Sequence, residues 1–174
     1  MIIRDATASD VVAIAKLHAE SWRSAYRSIL SDDYLEKYVD RERLAVWKER
    51  FSGTSRKPMF VMVAEMTSGL AGFVCVFPEE DATFGSFLDN LHVAPGLTGQ
   101  GIGRKLLAES ARRLVTSGSR VGLYLWVMEQ NYGARRFYER AGAEVVGSTL
   151  NTMPDHQQVV ALRCYWPEPR TLLL

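Results

Sequence analysis

The spacing of apolar residues changes period several times along the chain, and each change marks a new element. Ile2-Ile3-Arg4 reads as a short strand, after which Ser9 caps a helix with Val12, Ala15 and Ala19 on one face and Ile14, Leu17 and His18 beside it. A second helical pattern covers about 20–30, and Ser31-Asp32-Asp33 starts further helix through Tyr38 and, after Asp40, on to Phe51. Residues 52–58 read as a loop. Two runs rich in Val and Phe follow, at 59–65 and 70–77, separated by Thr67-Ser68-Gly69 as in a hairpin and ended by Pro78-Glu79-Glu80-Asp81. A strand is predicted over 84–93, stopped by Pro95-Gly96, and a helix over 101–116. That helix is amphipathic: Ile102, Leu106, Leu107, Ala111, Leu114 and Val115 form the apolar stripe, Arg104, Lys105, Glu109, Arg112 and Arg113 the wet side, and Gly118 suits the left-handed position past its end. A strand over 121–128, a short helix over 131–141 stopped by Gly142, and a closing hairpin of 143–148 with 158–164 complete the chain. Antiparallel hairpins at both ends, around a strand-helix-strand-helix unit, predict an α/β fold with a mixed sheet and helices on both faces.

Composition narrows this picture. With 174 residues, 47% hydrophobic and 24% charged, and no low-complexity stretch, one compact domain over 1–174 is expected. A net charge of +1 gives no overall reason to expect nucleic acid or an anionic membrane as partner. Cys75 and Cys164 sit in strand-like runs, with no CxxC pair and no Cys/His cluster at ligand spacing, so neither a disulfide framework nor a metal site is expected. The start lacks a basic and then apolar leader, and no apolar run reaches the ~18–20 residues of a membrane span. A cytoplasmic address is the expectation. The tail Thr171-Leu172-Leu173-Leu174 reads as exposed, a surface that a homodimer would bury.

The chemistry concentrates in Leu91-His92-Val93-Ala94-Pro95-Gly96-Leu97-Thr98-Gly99-Gln100-Gly101-Ile102-Gly103-Arg104. Gly99, Gly101 and Gly103 alternate where a strand hands over to a helix, so backbone N–H groups can approach a ligand without a Cβ in the way. Those donors and the positive end of the helix dipole make an anion site suited to a diphosphate. Arg104, Lys105, Arg112, Arg113 and Arg120 face only Glu109 over 101–120. A P-loop would need Lys-Ser/Thr after Gly101, where Ile102 stands, and a dinucleotide fingerprint would need a third glycine at Leu106. On the glycines alone, a loop that merely turns the chain also fits.

At this point the chain resembles the GNAT acetyltransferases, whose central motif, Arg/Gln-x-x-Gly-x-Gly/Ala, follows a strand ending in Leu-x-Val. Leu91-His92-Val93 and Gly101-Ile102-Gly103 fit that motif, with Thr98 where the family usually has Arg or Gln. A second motif, Asn131-x-x-Ala134-x-x-Phe137-Tyr138-x-x-x-Gly142, follows the next strand, and Ala143 replaces the usual Phe. The opening Ile3-Arg4-Asp5-Ala6-Thr7, with Asp10, is similar to the family's first strand and helix start. The resemblance implies a mostly antiparallel sheet whose fourth and fifth strands splay to admit acetyl-CoA as cosubstrate. Leu91, His92 and Val93 would hold the pantetheine and polarise the thioester carbonyl; Gly99, Gln100, Gly101, Ile102, Gly103 and Arg104 would hold the pyrophosphate; Asn131 and Ala134 would contact the pantetheine. A primary amine of a small molecule or a protein would attack the thioester directly.

Several of these residues admit a plainer reading. Tyr138 fits either a packed core position beside Ala134, Phe137 and Ala141 or the family's proton donor to the leaving thiolate. Asn131 suits a helix cap, Trp22 and Tyr26 suit a core or an acceptor wall, and Glu79-Glu80-Asp81 a solvated turn or an acidic mouth for a cationic amine. Asp89, two residues before Leu91, is the carboxylate nearest the motif and the candidate general base, or it is simply solvated. An acetyl-CoA-binding regulatory module without turnover is the alternative function.

Overall fold

The computed structural model describes residues 1–53, 57–119 and 121–173. Part of the expected 52–58 loop, Arg120 of the basic flank and Leu174 of the tail lie outside the described residues. The strands are β1 (Ile2–Asp5), β2 (Phe60–Met66), β3 (Gly69–Asp81), β4 (Gly85–Val93), β5 (Leu123–Met128), β6 (Glu144–Thr152) and β7 (Gln158–Trp166). The helices are α1 (Val11–Tyr26), α2 (Asp32–Lys37), α3 (Val39–Phe51), α4 (Ile102–Thr116) and α5 (Tyr132–Arg140). The seven strands form one sheet in the order β1-β2-β3-β4-β5-β7-β6, with every neighbouring pair antiparallel except β4 and β5.

Strand alternation sorts the side chains into two layers. Phe60, Met62 and Ala64 of β2 and Val74 and Val76 of β3 pack with Leu106, Leu107, Ala111 and Leu114 of α4. The intervening Val61, Val63, Phe73 and Cys75 pack on the other face against Ile14, Ala15 and Leu17 of α1 and Trp47 of α3. Cys75 and Cys164 are buried free thiols, as their strand positions predicted.

The first helix begins differently from its sequence signal. Ala8–Asp10 is a 3-10 turn capped by Thr7, and the Asp10 carboxylate accepts from the Thr7 N–H (2.8 Å) and from both Arg4 Nη atoms (2.8 and 2.9 Å). Val11 therefore enters the core while Val12 is 65% exposed. Nothing between Ala19 and Glu20 breaks the helix, so the two predicted segments merge into α1. Strand β3 runs on through Pro78 to Asp81, because its pairing with β4 is irregular there and the missing N–H of Pro78 goes unused. The tail does not stand wholly exposed: Pro169–Leu173 forms a 3-10 turn in which Leu172 is buried in the α4 layer, while Leu173 stays on the surface.

The Arg4 guanidinium holds the Asp10 carboxyl down to about 2, below its ordinary 3.8. A lowered carboxyl stabilises the fold above its unfolded pKa and loses that contribution as pH falls toward the folded value. Asp10→Asn should cost about 1–2 kcal/mol at pH 7, less than the full shift because Arg4 keeps a wet side. In denaturant titrations the gap to the parent should close between about pH 4 and pH 2.

Candidate active site

The sheet is open at its parallel junction. β4 and β5 pair only at Ser86↔Leu123 and Phe87↔Tyr124, with the Ser86 N–H donating to the Gly122 carbonyl at 3.0 Å. At that junction a Cβ on Gly85 would collide with the Gly122 backbone, and one on Gly122 would collide with Tyr165 and Trp166 of β7. Beyond it, Cys75↔Asn90 and Val76↔Leu88 leave Asp89 as an extra residue, a bulge that bends β4 away from β5. The Ala94 N–H donates to Ala71 of β3. By strand alternation the backbone groups of His92 also turn toward β3, and those of Leu91 and Val93 turn into the opening with no strand to receive them.

A cleft of about 770 Å³ occupies the α4/α5 side of this opening. Leu91, Val93, Gly99, Gly101, Ile102, Gly103, Arg104, Ala134 and Tyr138 all line it, as does Thr98, whose hydroxyl donates to the Pro95 carbonyl within the turn. Gly101 is the N-cap of α4 in the left-handed region (φ +78°), with open space where a Cβ would point and no side-chain cap. The first-turn N–H groups, which a helix cannot satisfy itself, therefore lie beside the cleft. Among the described residues of the expected basic flank only Arg104 lines it; Arg112 pairs with Glu109 and Arg113 with Asp5. Arg136 and Arg140 supply positive charge from the facing helix. Their i, i+4 spacing within the second motif, which puts both on one helix face, is the sequence signal for them.

The remaining candidates lie elsewhere. Gln100 is exposed on the loop and does not line the cleft. Asn131 caps α5 by accepting from the Ala134 N–H at 3.1 Å. Asp89 does not line the cleft: its carboxylate pairs with Arg50 of α3 at 2.7 Å and accepts from Asn90. The side chain of His92 points to the α1/α3 side. Glu80 pairs with Lys57, and Asp81 accepts from the Thr83 and Phe84 N–H groups at the closed end of β4, so this acidic run is remote from the opening.

On the α1/α3 side His92 and His18 stand 4.4 Å apart, centroid to centroid. Ser21 Oγ bonds His92 Nδ1 at 2.8 Å, and Trp47 donates to His18 Nδ1 at 3.0 Å, which assigns the His18 proton to Nε2. That Nε2 is enclosed without a partner among the described residues. Burial, reinforced by the Arg43 charge, pushes His92 down to about 3 and lowers His18 as well. Tyr26, at the end of α1, has its phenol raised by burial and partly offset by the Asn131 side chain. Burial likewise raises Tyr138, next to Tyr26. Tyr26 belongs to one layer and Asn131 and Tyr138 to the other, and they meet only because the sheet is open between β4 and β5.

An open mixed sheet with a glycine-rich helix N-terminus beside its splayed strands defines an α/β architecture with an anion-suited cleft. The chain matches the model of the Acetyltransferase (GNAT) family over residues 16–143. It is 35% identical over 131 residues to YuaI of Bacillus subtilis, an uncharacterized N-acetyltransferase, covering 74% of this chain and 72% of that one. An uncharacterized N-acetyltransferase of Archaeoglobus fulgidus is 32% identical over 142 residues, covering 79% and 89%. The fold is similar to that of the PaiA N-acetyltransferase of Thermoplasma acidophilum, solved with coenzyme A (TM-score 0.68, 22% identity, 92% and 96% covered). It is also similar to that of the acetyltransferase yncA of Salmonella typhimurium, solved with acetyl-CoA (TM-score 0.66, 18% identity, 96% and 93% covered). The chain belongs to the GNAT acetyltransferase family, and its enzyme class is N-acetyltransferase.

Because burial holds His92 near 3, its imidazole should stay neutral across the physiological range. In NMR titrations of the folded protein, the His92 ring resonances should not move between about pH 8 and pH 5, whereas a free imidazole turns over near 6.5.

Proposed function

We propose that residues 1–174 act as one catalytic unit that transfers the acetyl group of acetyl-CoA to a primary amine by direct attack on the thioester. The observation that supports this reading is the opening between β4 and β5: a phosphate-suited cleft lies on one side of the sheet there, and the neutral, hydrogen-bonding side chains of His18, Ser21 and His92 pack on the other. Among the described residues no helix is long and apolar enough to cross a membrane, and a cytoplasmic site of action is part of the proposal.

Acetyl-CoA would lie along the α4/α5 cleft. Its pyrophosphate would meet the N–H groups over 99–104, with Arg104, Arg136 and Arg140 around its phosphates. The pantetheine would add to β4 in the manner of a strand, pairing with the backbone of Leu91 and Val93, and the Val93 or Leu91 N–H would polarise the thioester carbonyl. The amine approaches from the α1/α3 side, attacks the carbonyl carbon, and the C–S bond breaks as the tetrahedral oxyanion collapses. Tyr138 then hands its phenolic proton to the departing thiolate. A phenol raised by burial is protonated throughout the working pH range, the state that an acid needs. The proton lost by the amine leaves on the acceptor side. Asp89 enters that step only through water, since its carboxylate already accepts from Arg50 and Asn90.

Gly101→Val forces a β-branched residue into left-handed backbone and turns the first α4 donors away. Acetyl-CoA affinity should fall on the order of 10–100-fold, read by calorimetry, with the circular dichroism spectrum unchanged.

Tyr138→Phe keeps the ring among Phe137 and Trp166 and removes only the hydroxyl. As the acid, Tyr138 predicts a fall in kcat on the order of 10²-fold in CoA release, with KM for acetyl-CoA held. A purely packed tyrosine predicts a change of less than about threefold.

A further inference from the structure

The α1/α3 layer holds three part-buried arginines, Arg23, Arg43 and Arg50, and two are neutralised within the protein. Arg50 pairs with Asp89 at 2.7 Å, and Arg23 pairs with Asp40 while donating to the Leu35 carbonyl at 2.9 Å. Arg43 is different. Its side chain is only 14% exposed, and its Nε is enclosed with no acceptor among the described residues. Its nearest carboxylate oxygen, Glu42 Oε2, lies 3.9 Å from Nη2, beyond hydrogen bonding, and already accepts from the Tyr34 hydroxyl at 2.6 Å. The guanidinium lies 4.3 Å over the Trp22 ring. Trp22 in turn contacts His18 (5.4 Å between centroids) and Tyr26 (5.3 Å), the residues that border the opening from the acceptor side.

A guanidinium taken out of water costs several kcal/mol unless an anion answers it, and stacking on an indole returns only part of that. Glu42 is the one carboxylate near Arg43 among the described residues, and it stands beyond hydrogen-bond reach; the other facing groups supply no anion, since His18 and His92 are neutral imidazoles and Ser21, Trp22, Tyr26 and Tyr34 carry no charge at neutral pH. The phosphates of acetyl-CoA cannot be that anion, because the glycine loop and α4 lie on the opposite face of the sheet. An oxygen to accept from Arg43 Nε is thus left for a bound substrate to bring.

We propose that Arg43 binds a carboxylate carried by the acceptor itself, so that the substrate class is a small amino acid whose amine is presented to the thioester. This rests on the acetyl-transfer reading above. The planar fork of Arg43 suits a carboxylate through two parallel hydrogen bonds. The same fixed positive charge disfavours an ammonium group nearby and so favours the neutral amine that attack requires.

The test uses the full chain with acetyl-CoA, following CoA release. The acceptors are the common L-α-amino acids and the ω-amino acids from β-alanine to 6-aminohexanoate, each against its carboxamide. For the best acceptor, kcat/KM for the acid should exceed that for the amide on the order of 10–100-fold, mostly through KM. Arg43→Gln should bring that ratio close to one while KM for acetyl-CoA holds. Arg43→Lys, which keeps the charge without the fork, should fall between and serves if the Gln variant does not fold. An acid-to-amide ratio near one in the parent overturns the proposal. So does a variant that melts at lower temperature yet keeps the parent's ratio, the signature of Arg43 as packing over Trp22. If no amine is acetylated, the acetyl-transfer reading fails by itself. Arg43 is then judged by calorimetric titration of the same acids and amides into the CoA-bound protein, where acids should bind more tightly and equal affinity overturns the assignment.

Discussion

The feature on which the rest depends is the short parallel contact between β4 and β5. Two residue pairs join the halves of a seven-stranded sheet, and the backbone contact of Gly85 with Gly122 sets how closely they approach. Had the pairing continued past Phe87 and Tyr124, the backbone of Leu91 and Val93 would be consumed by a neighbouring strand, and Tyr26 could not meet Asn131 or Tyr138 through the sheet. The bulge at Asp89 ends the pairing, and the Arg50 ion pair holds the bulged residue against α3. In this arrangement Asp89 shapes the strand that borders the site as much as it contributes charge.

The two faces of that opening carry different electrostatics for a physical reason. On the α4/α5 side the donors are backbone N–H groups at a helix N-terminus and exposed arginines, which attract an anion without first being desolvated. On the α1/α3 side the polar groups are buried among Trp22, Trp47 and Phe73, and burial forces them into their uncharged forms. Among the charged groups on that side Arg50 and Asp89 answer each other, whereas Arg43 keeps its charge with no hydrogen-bonded carboxylate, since a guanidinium cannot shed its proton. Under the proposed reading, a nucleophile that must be neutral to react and a cosubstrate that is strongly anionic would thus have separate surroundings on the two sides of one break in a sheet.

Much of this was legible in the sequence because its signals are local. The period of the apolar positions gives the alternating strands and the α4 stripe, and Gly101, Gly118 and Gly142 each take the left-handed backbone that their places at helix ends suggest. Ser31 and Asn131 cap the helices they precede. The less legible features were those in which a remote partner outweighs a local preference. Arg4, six residues away, draws Asp10 into the cap and starts α1 at Val11 rather than beside Val12. Pro78 did not end β3, because the irregular β3–β4 pairing asks nothing of its nitrogen.

The sequence by itself therefore determined the element types, the sheet's two-sided packing and the anion-suited loop with its two motifs, since each rests on spacings within one or two turns or strands. Only the tertiary structure decided which side chains face the opening. It turned Asp89 and His92 to the α1/α3 layer, brought Arg136 and Arg140 to the cleft beside Arg104, folded Leu172 into the chain's own core, and left Arg43 Nε without an acceptor among the described residues. A one-residue bulge reverses which face a side chain serves, and a charge is answered or left unanswered by residues far away in the chain; neither is written in local spacing.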